Sequence, residues 1–94
     1  MTTLYKVLLR KEDVAVRTVF CTEFDDAREM AIVWSRMLRR WGYEEDEKTT
    51  AMFRGDWIGT TYFFKSTPRD VKMYTISIDN HCYIEDGKIF GFVE

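Results

Sequence analysis

The sequence contains little of what catalytic and metal-binding proteins use most. Its 94 residues include one histidine, one proline and two cysteines. Cys21 and Cys82 lie far apart with no CxxC pair, a pattern that fits neither a disulfide framework nor a zinc site. No glycine-rich phosphate loop, nucleophile elbow or zinc-protease motif occurs. The sequence therefore predicts no catalytic residue, no metal site and no cofactor, and it favours a protein that is not an enzyme.

Long apolar runs are also missing. None approaches the ~18 residues that a membrane-spanning helix needs, and the first residues lack the basic and apolar regions of a secretory signal. The net charge of −2 gives no overall attraction to nucleic-acid phosphates or to anionic lipid. We expect a cytoplasmic protein with reduced thiols that does not bind membranes, and nucleic acid is a disfavoured partner.

What the chain does have is the composition of a folded domain. Hydrophobic residues make up 46% and charged residues 32%, an ordinary globular balance. Aromatic residues reach 16%, and their large buried areas can offset the small size of the chain. No repeat, linker or low-complexity tract divides it. We expect residues 1–94 to form a single domain.

One helix stands out in the middle of the sequence. Its apolar residues follow the i, i+3, i+4, i+7 spacing of an amphipathic helix: Phe24, Ala27, Met30, Ala31, Trp34, Met37, Leu38 and Trp41. Thr22 and Asp25 resemble a capping box at its start. Gly42 is placed for the left-handed residue that often ends a helix.

The rest of the chain alternates with the period of β-strands. Residues 4–10 and 14–22 predict a hairpin, although the alternation does not identify its buried face. After the helix, strands are predicted at 49–54, 57–65, 71–78, 81–85 and 88–93, with turns at Asp79-Asn80 and Asp86-Gly87. The predicted fold class is α+β: one amphipathic α-helix packed on an antiparallel sheet, in the order ββα followed by three to four short antiparallel strands.

The polar face of the helix is the first candidate for a functional surface. At 100° per residue, Ile32 and several arginines lie opposite the apolar stripe, and arginines around an apolar residue are typical of interface centres. An acidic run follows, predicted as a loop that either folds back onto Arg39 and Arg40 or faces a basic partner. The predicted partner-binding residues are Ile32, Arg36, Arg39, Arg40, Glu44, Glu45, Asp46 and Glu47.

Three functions stay open at this point. The first is a binding protein that occludes or tethers a larger macromolecule through protein–protein contacts; small domains without motifs are often encoded by phages or mobile elements to inhibit a host factor. The second is a small-ligand binder or enzyme with an aromatic-lined pocket between helix and sheet. The third is nucleic-acid binding through the arginine-rich helix face. Self-association is compatible with all three.

Two local motifs do not support a function. Lys88–Val93 partly resembles the RNP1 motif of RNA-recognition domains, but Ile89 stands where that motif has glycine, and only one helix is predicted. Asp79 and His81 would share one face of a strand and Cys82 would point to the other, which disfavours a cysteine–histidine pair.

Overall fold

One helix and an antiparallel sheet of six strands make up the part of the protein that the computed structural model describes, residues 1–46 and 58–91. Along the sheet the strands lie in the order β2-β1-β5-β4-β3, and β6 also pairs with β5. The predicted α+β class is therefore confirmed. The elements are β1 (Thr2–Lys11), β2 (Val14–Cys21), α1 (Phe24–Arg40), β3 (Glu44–Glu45), β4 (Gly59–Ser66), β5 (Val71–Glu85) and β6 (Lys88–Phe90).

Tight turns close two of the strand pairs. Glu12 and Asp13, with φ of 48° and 66°, connect β1 to β2. Asp86 and Gly87, with φ of 51° and 77°, connect β5 to β6. Two consecutive residues with positive φ form the type I′ turn, whose twist matches that of paired strands. The first hairpin and the Asp86-Gly87 turn are confirmed.

The main core lies between α1 and one face of the sheet. Trp34 and Leu38 of α1 pack there against Val7 of β1, Phe63 of β4 and Ile76 of β5, all of them buried. Side chains alternate along a strand, so the neighbours of these strand residues point to the opposite face of the sheet, which we call the second face.

On the second face, Leu4, Lys6 and Leu8 of β1 are also buried. The two faces of β1 are therefore both apolar in part and both covered. This is the reason why the alternation in residues 4–10 did not identify a single buried face.

The two ends of α1 differ in how well the sequence predicted them. The helix begins after Glu23, whose side chain makes no capping hydrogen bond. The predicted capping box is wrong because Thr22 lies one residue too early to serve as the cap. At the other end, the Gly42 N–H donates to the Arg39 carbonyl and the Tyr43 N–H to the Leu38 carbonyl, both at 3.0 Å. Gly42 has φ 88°, so the end is a Schellman motif.

Two strand predictions after α1 need correction. Glu44 and Glu45 pair with Phe64 and Phe63 as the short strand β3, where a loop was predicted. Residues 71–78 and 81–85 form one 15-residue strand, β5, so the predicted turn at Asp79-Asn80 is wrong. The predicted strand at 49–54, the start of 57–65 and the end of 88–93 lie outside the described residues.

A β-bulge explains why a turn was predicted in the middle of β5. Lys6 pairs with Asp79, whereas Leu4 pairs with Cys82, so β5 carries an extra residue between these two pairs. The polar residues at this point bend the strand locally and let it continue.

Candidate functional site

The exposed side of α1 carries a shallow groove with an apolar floor. Its volume is about 320 Å³, and it is lined by Val33, Arg36, Met37, Arg40 and Trp41, which together we call the helix groove. Val33 is 51% exposed and Trp41 is 49% exposed. Large apolar side chains left open beside two arginines have the composition of an interface core.

In the structure, the exposed aliphatic residue of this surface lies one position later in the chain than predicted. Ile32 was predicted to be the exposed aliphatic side chain, but it is partly buried. Val33 is the exposed one. At 100° per residue, Val33 lies about 20° from Arg40 and about 60° from Arg36 around the helix axis, whereas Ile32 lies about 40° beyond Arg36, on the side away from Val33. The helical wheel alone does not favour Val33, because the predicted apolar stripe included Met37 and Trp41, which lie on the Val33 side of the helix.

The arginines of α1 fall into two groups. Nη2 of Arg39 lies 3.0 Å from Oε2 of Glu45 and makes a salt bridge there. The guanidinium groups of Arg36 and Arg40 make no ion pair with any residue that the structure describes. Since both of these arginines are exposed, they are available to carboxylates of another molecule.

The acidic residues after α1 are tied to the edge of the sheet. Glu44 and Glu45 form β3, and the Asp46 N–H donates to the Tyr62 carbonyl at 2.8 Å. The side chain of Glu45 is only 9% exposed because it turns back onto Arg39. Of the two orientations that the sequence left open, Glu45 therefore adopts the first. Glu47 lies outside the described residues.

Trp41 is held in place by the contacts of its backbone and of one side of its ring. Lys65 Nζ donates to the Trp41 carbonyl at 2.8 Å. The Trp41 ring lies 6.3 Å from that of Tyr74, centroid to centroid. A large aromatic side chain that is already positioned loses little conformational entropy when a partner covers it. Trp41 was predicted to lie in the buried stripe, so its exposure on this surface was not predicted.

The aromatic residues between helix and sheet belong to the core. Trp34 and Phe63 are fully buried there, and Tyr43 meets Tyr74 edge to face at 5.0 Å. These side chains would have lined the pocket that the sequence left open at this position. In the described part of the chain they pack against one another as part of the core.

A second exposed apolar patch lies on the second face of the sheet. The rings of Tyr62 and Phe64 stack with centroids 6.5 Å apart, and each ring is more than one-third exposed. Val71, at the start of β5, is 53% exposed on the same face. We call Tyr62, Phe64 and Val71 the aromatic patch. The aromatic patch was not predicted, although side chains that alternate along a strand place Phe63 and its two neighbours on opposite faces.

The cysteines have the character of unreactive core thiols. Neither forms a disulfide, and Cys82 is buried. Burial raises the pKa of both thiols, with the carboxylate of Asp26 adding to the rise at Cys21. A raised pKa leaves little of the nucleophilic thiolate near neutral pH. In residues 1–46 and 58–91, no three histidine, cysteine or acidic side chains are grouped so that they could hold a metal ion.

Comparisons with known proteins identify no relative of this chain. No protein-family model, no curated protein and no solved structure matches the chain. Within the described residues, α1 has neither the length nor the apolar character to cross a membrane.

Proposed function

We propose that the protein is a non-enzymatic binding domain that recognises another protein through the helix groove. The observation that carries the proposal is the pair of exposed apolar side chains, Val33 and Trp41, with Arg36 and Arg40 beside them. A single exposed aliphatic residue is ordinary on a protein surface. An apolar groove that ends at an aromatic side chain and has two arginines beside it has the features of a surface that contacts another protein.

The chemistry of the groove defines the kind of partner that fits it. Covering Val33 and Trp41 removes apolar surface from water, which favours binding by about 25 cal/mol per Å² before the costs of association. Arg36 and Arg40 favour carboxylates, because a guanidinium can bind a carboxylate through two parallel hydrogen bonds. The partner surface should therefore present an apolar side chain with aspartate or glutamate on either side.

Nucleic acid fits the same surface less well. Asp25, Asp26 and Glu29 are exposed on α1 in the turns that precede the groove. Their carboxylates would repel a phosphate backbone that followed the helix. A protein with a localised acidic patch can contact the arginines and avoid this repulsion.

The mode of action follows from the small size of the domain. A chain of 94 residues that covers one site of a larger macromolecule can block access to that site without any chemistry of its own. We expect this to happen in the cytoplasm, where Cys21 and Cys82 would stay reduced.

Crosslinking tests which surface makes the contact. A photoreactive amino acid is introduced in place of Val33, or in place of Val71 as the matched position, and the protein is irradiated in a cell lysate. We expect a crosslinked protein from position 33 that is absent from position 71. A crosslink from position 71 alone would place the interface on the aromatic patch and contradict the proposal, and crosslinks to nucleic acid would assign the groove to the alternative.

A further inference from the structure

Two parallel rows of side chains form the helix groove. Val33, Met37 and Trp41 lie four residues apart in one row, which we call the apolar row, and Arg36 and Arg40 lie four residues apart in the next. Rows with this spacing are the ridges of a helix surface, and the groove between two of them receives a ridge of another helix when helices pack. The apolar row extends over about two turns, or ~12 Å. The groove therefore has the geometry of a helix-packing surface.

The apolar row is open along the outer side of α1. Trp34 and Leu38 are the buried residues through which α1 packs on the sheet. Val33 and Trp41 stay about half exposed in the part of the chain that the structure describes. Met37 lies between them and packs partly on the core, so it forms the floor of the groove. A partner that covers the row removes apolar surface from water at both of its ends.

The polar groups of the groove favour a helical segment over an extended one. The backbone of α1 is used in its own hydrogen bonds. The polar side chains that line the groove are Arg36, Arg40 and Trp41, which donate hydrogen bonds and accept none. The N–H groups of an extended segment over the apolar row would find no strong acceptor there, which is costly. A helix satisfies its N–H and C=O groups within itself.

The two arginines define the charge of the segment that fits. Arg36 and Arg40 are one turn apart and flank the apolar row on the same side, since they lie about 60° and 20° from Val33 around the axis. Carboxylates one turn apart on a partner helix can meet both guanidinium groups, and such contacts are directional. A helix seated in a groove by apolar residues at this spacing is a common mode of recognition.

Resting on the proposed function of the groove, we infer that the partner segment is an amphipathic α-helix. Its apolar side chains, spaced by three and four residues, lie between the two rows of the helix groove. Its carboxylates lie along the flank that faces Arg36 and Arg40.

A synthetic helix tests this inference with a defined probe. The probe is an alanine-rich peptide of about 20 residues, long enough to form a helix alone, with leucines spaced by three and four residues and glutamates along one flank. Two matched peptides each change one property: lysine replaces every glutamate in the first, and proline replaces one central, outward-facing alanine in the second. Two-dimensional NMR follows the Val33 amide and the Trp41 indole N–H during titration, and circular dichroism measures the helix content of each peptide.

We expect saturable shifts at both positions with the glutamate peptide. The lysine peptide should bind at least about tenfold more weakly, because its charges repel Arg36 and Arg40. The proline peptide keeps the leucines and glutamates but cannot form a continuous helix. It should also bind at least about tenfold more weakly.

Variants of the protein locate the contact. The double variant Arg36→Gln/Arg40→Gln should weaken binding of the glutamate peptide by about tenfold, because it removes both charged donors. Arg69→Gln, at an exposed turn residue outside the groove, should leave binding unchanged. Val33→Ala removes apolar surface and should also weaken binding, which keeps the test informative if the double variant does not fold.

Three results would overturn the inference. The first is the absence of saturable shifts with the glutamate peptide. The second is equal binding of the proline peptide, which would favour an extended segment. The third is equal binding of the lysine peptide, which would remove the role of the arginines. Crosslinking from position 33 tests the proposed function separately, so a protein crosslinked there while the glutamate peptide fails to bind would refute the helical partner alone.

Discussion

Arg39 and Glu45 form a salt bridge that joins the last turn of α1 to β3, with Nη2 and Oε2 3.0 Å apart. The bridge turns one acidic side chain back onto the helix and uses one arginine of the outer face. Arg36 and Arg40 are left as the exposed cations beside Val33. The acidic residues and the helix groove are therefore neighbours with different roles.

This division of roles predicts a stability effect without a binding effect. Glu45→Gln should lower the free energy of unfolding by roughly 0.2–1 kcal/mol, because it removes a salt bridge in which Arg39 is still half-exposed. Partner binding should be unchanged. Urea denaturation and a binding assay on the same preparation measure both quantities. A loss of binding with unchanged stability would make the acidic residues the contact surface instead.

The register of α1 predicts a sharp contrast between adjacent residues. Trp34 is buried and Val33 is exposed. Trp34→Ala should therefore cost roughly 3–5 kcal/mol of unfolding free energy, as removal of a large core side chain does. Val33→Ala should change it by no more than about 0.5 kcal/mol. Thermal or urea denaturation of the two variants checks the contrast, and similar losses in both would place α1 in a different register.

The chain after β6 passes close to the bulge in β5, and alanine substitutions at two glycines test this close approach. A Cβ on Gly91 would collide with the backbone carbonyl oxygen of His81, whereas a Cβ on Gly87 would meet no atom within 4 Å. Both glycines have positive φ, 77° at Gly87 and 104° at Gly91, and the larger departure of Gly91 from the left-handed helical region adds to the cost of an alanine there. Gly91→Ala should destabilise the protein more than Gly87→Ala. Equal melting temperatures for the two variants would argue against the close approach.

The raised thiol pKa predicts a loss of stability at alkaline pH. Burial raises the pKa of Cys82 above its ordinary value of 9.0; Lys6 opposes the rise and Asp79 adds to it. The unfolded thiol ionises first, so the stabilisation is complete below about pH 9 and is lost as the pH rises through the folded pKa. Tyr43, raised above 10.0 mainly by burial, acts in the same direction.

Urea denaturation at several pH values, from neutral to about pH 10, measures this loss. Cys82→Ala should show a shallower decrease of unfolding free energy with pH than the wild-type protein. Part of the slope should persist, because Cys21 also has a raised pKa. An unchanged slope in Cys82→Ala would mean that this thiol is not shielded in the folded protein.

Local patterns in the sequence predicted the helix and the two confirmed turns. The spacing of Trp34 and Leu38 identified the buried side of α1, and Gly42 identified its end. These features depend on residues close to one another in the chain. The bulge in β5 was missed because Asp79-Asn80 has the composition of a turn, and β1 pairs with β5 on both sides of this point and keeps the strand continuous.

The candidate sites were less accessible to sequence reasoning. Arg36 and Arg40 were placed correctly on the outer helix face, but the apolar centre was assigned to Ile32 instead of Val33. A cleft on the second face of the sheet, which brings together Lys6, Thr60 and Ser77 from three strands, was not predicted. Which strands become neighbours depends on the packing of the whole chain. The alternation of residues along one strand does not predict its neighbours.

The central claim is that the helix groove makes the partner contact, and a dissociation constant measures it most directly. Once crosslinking has identified the partner, its affinity is measured by calorimetry for the wild-type protein and for the double variant Val33→Asp/Arg36→Glu. Arg69→Glu, which makes the same charge change as Arg36→Glu but at an exposed turn residue, serves as the control. The double variant should stay folded, within about 1 kcal/mol of wild type. It should bind at least about tenfold more weakly, because it places like charges against an acidic partner, whereas the control should bind as the wild type does. Wild-type affinity in the folded double variant would contradict the assignment of the groove.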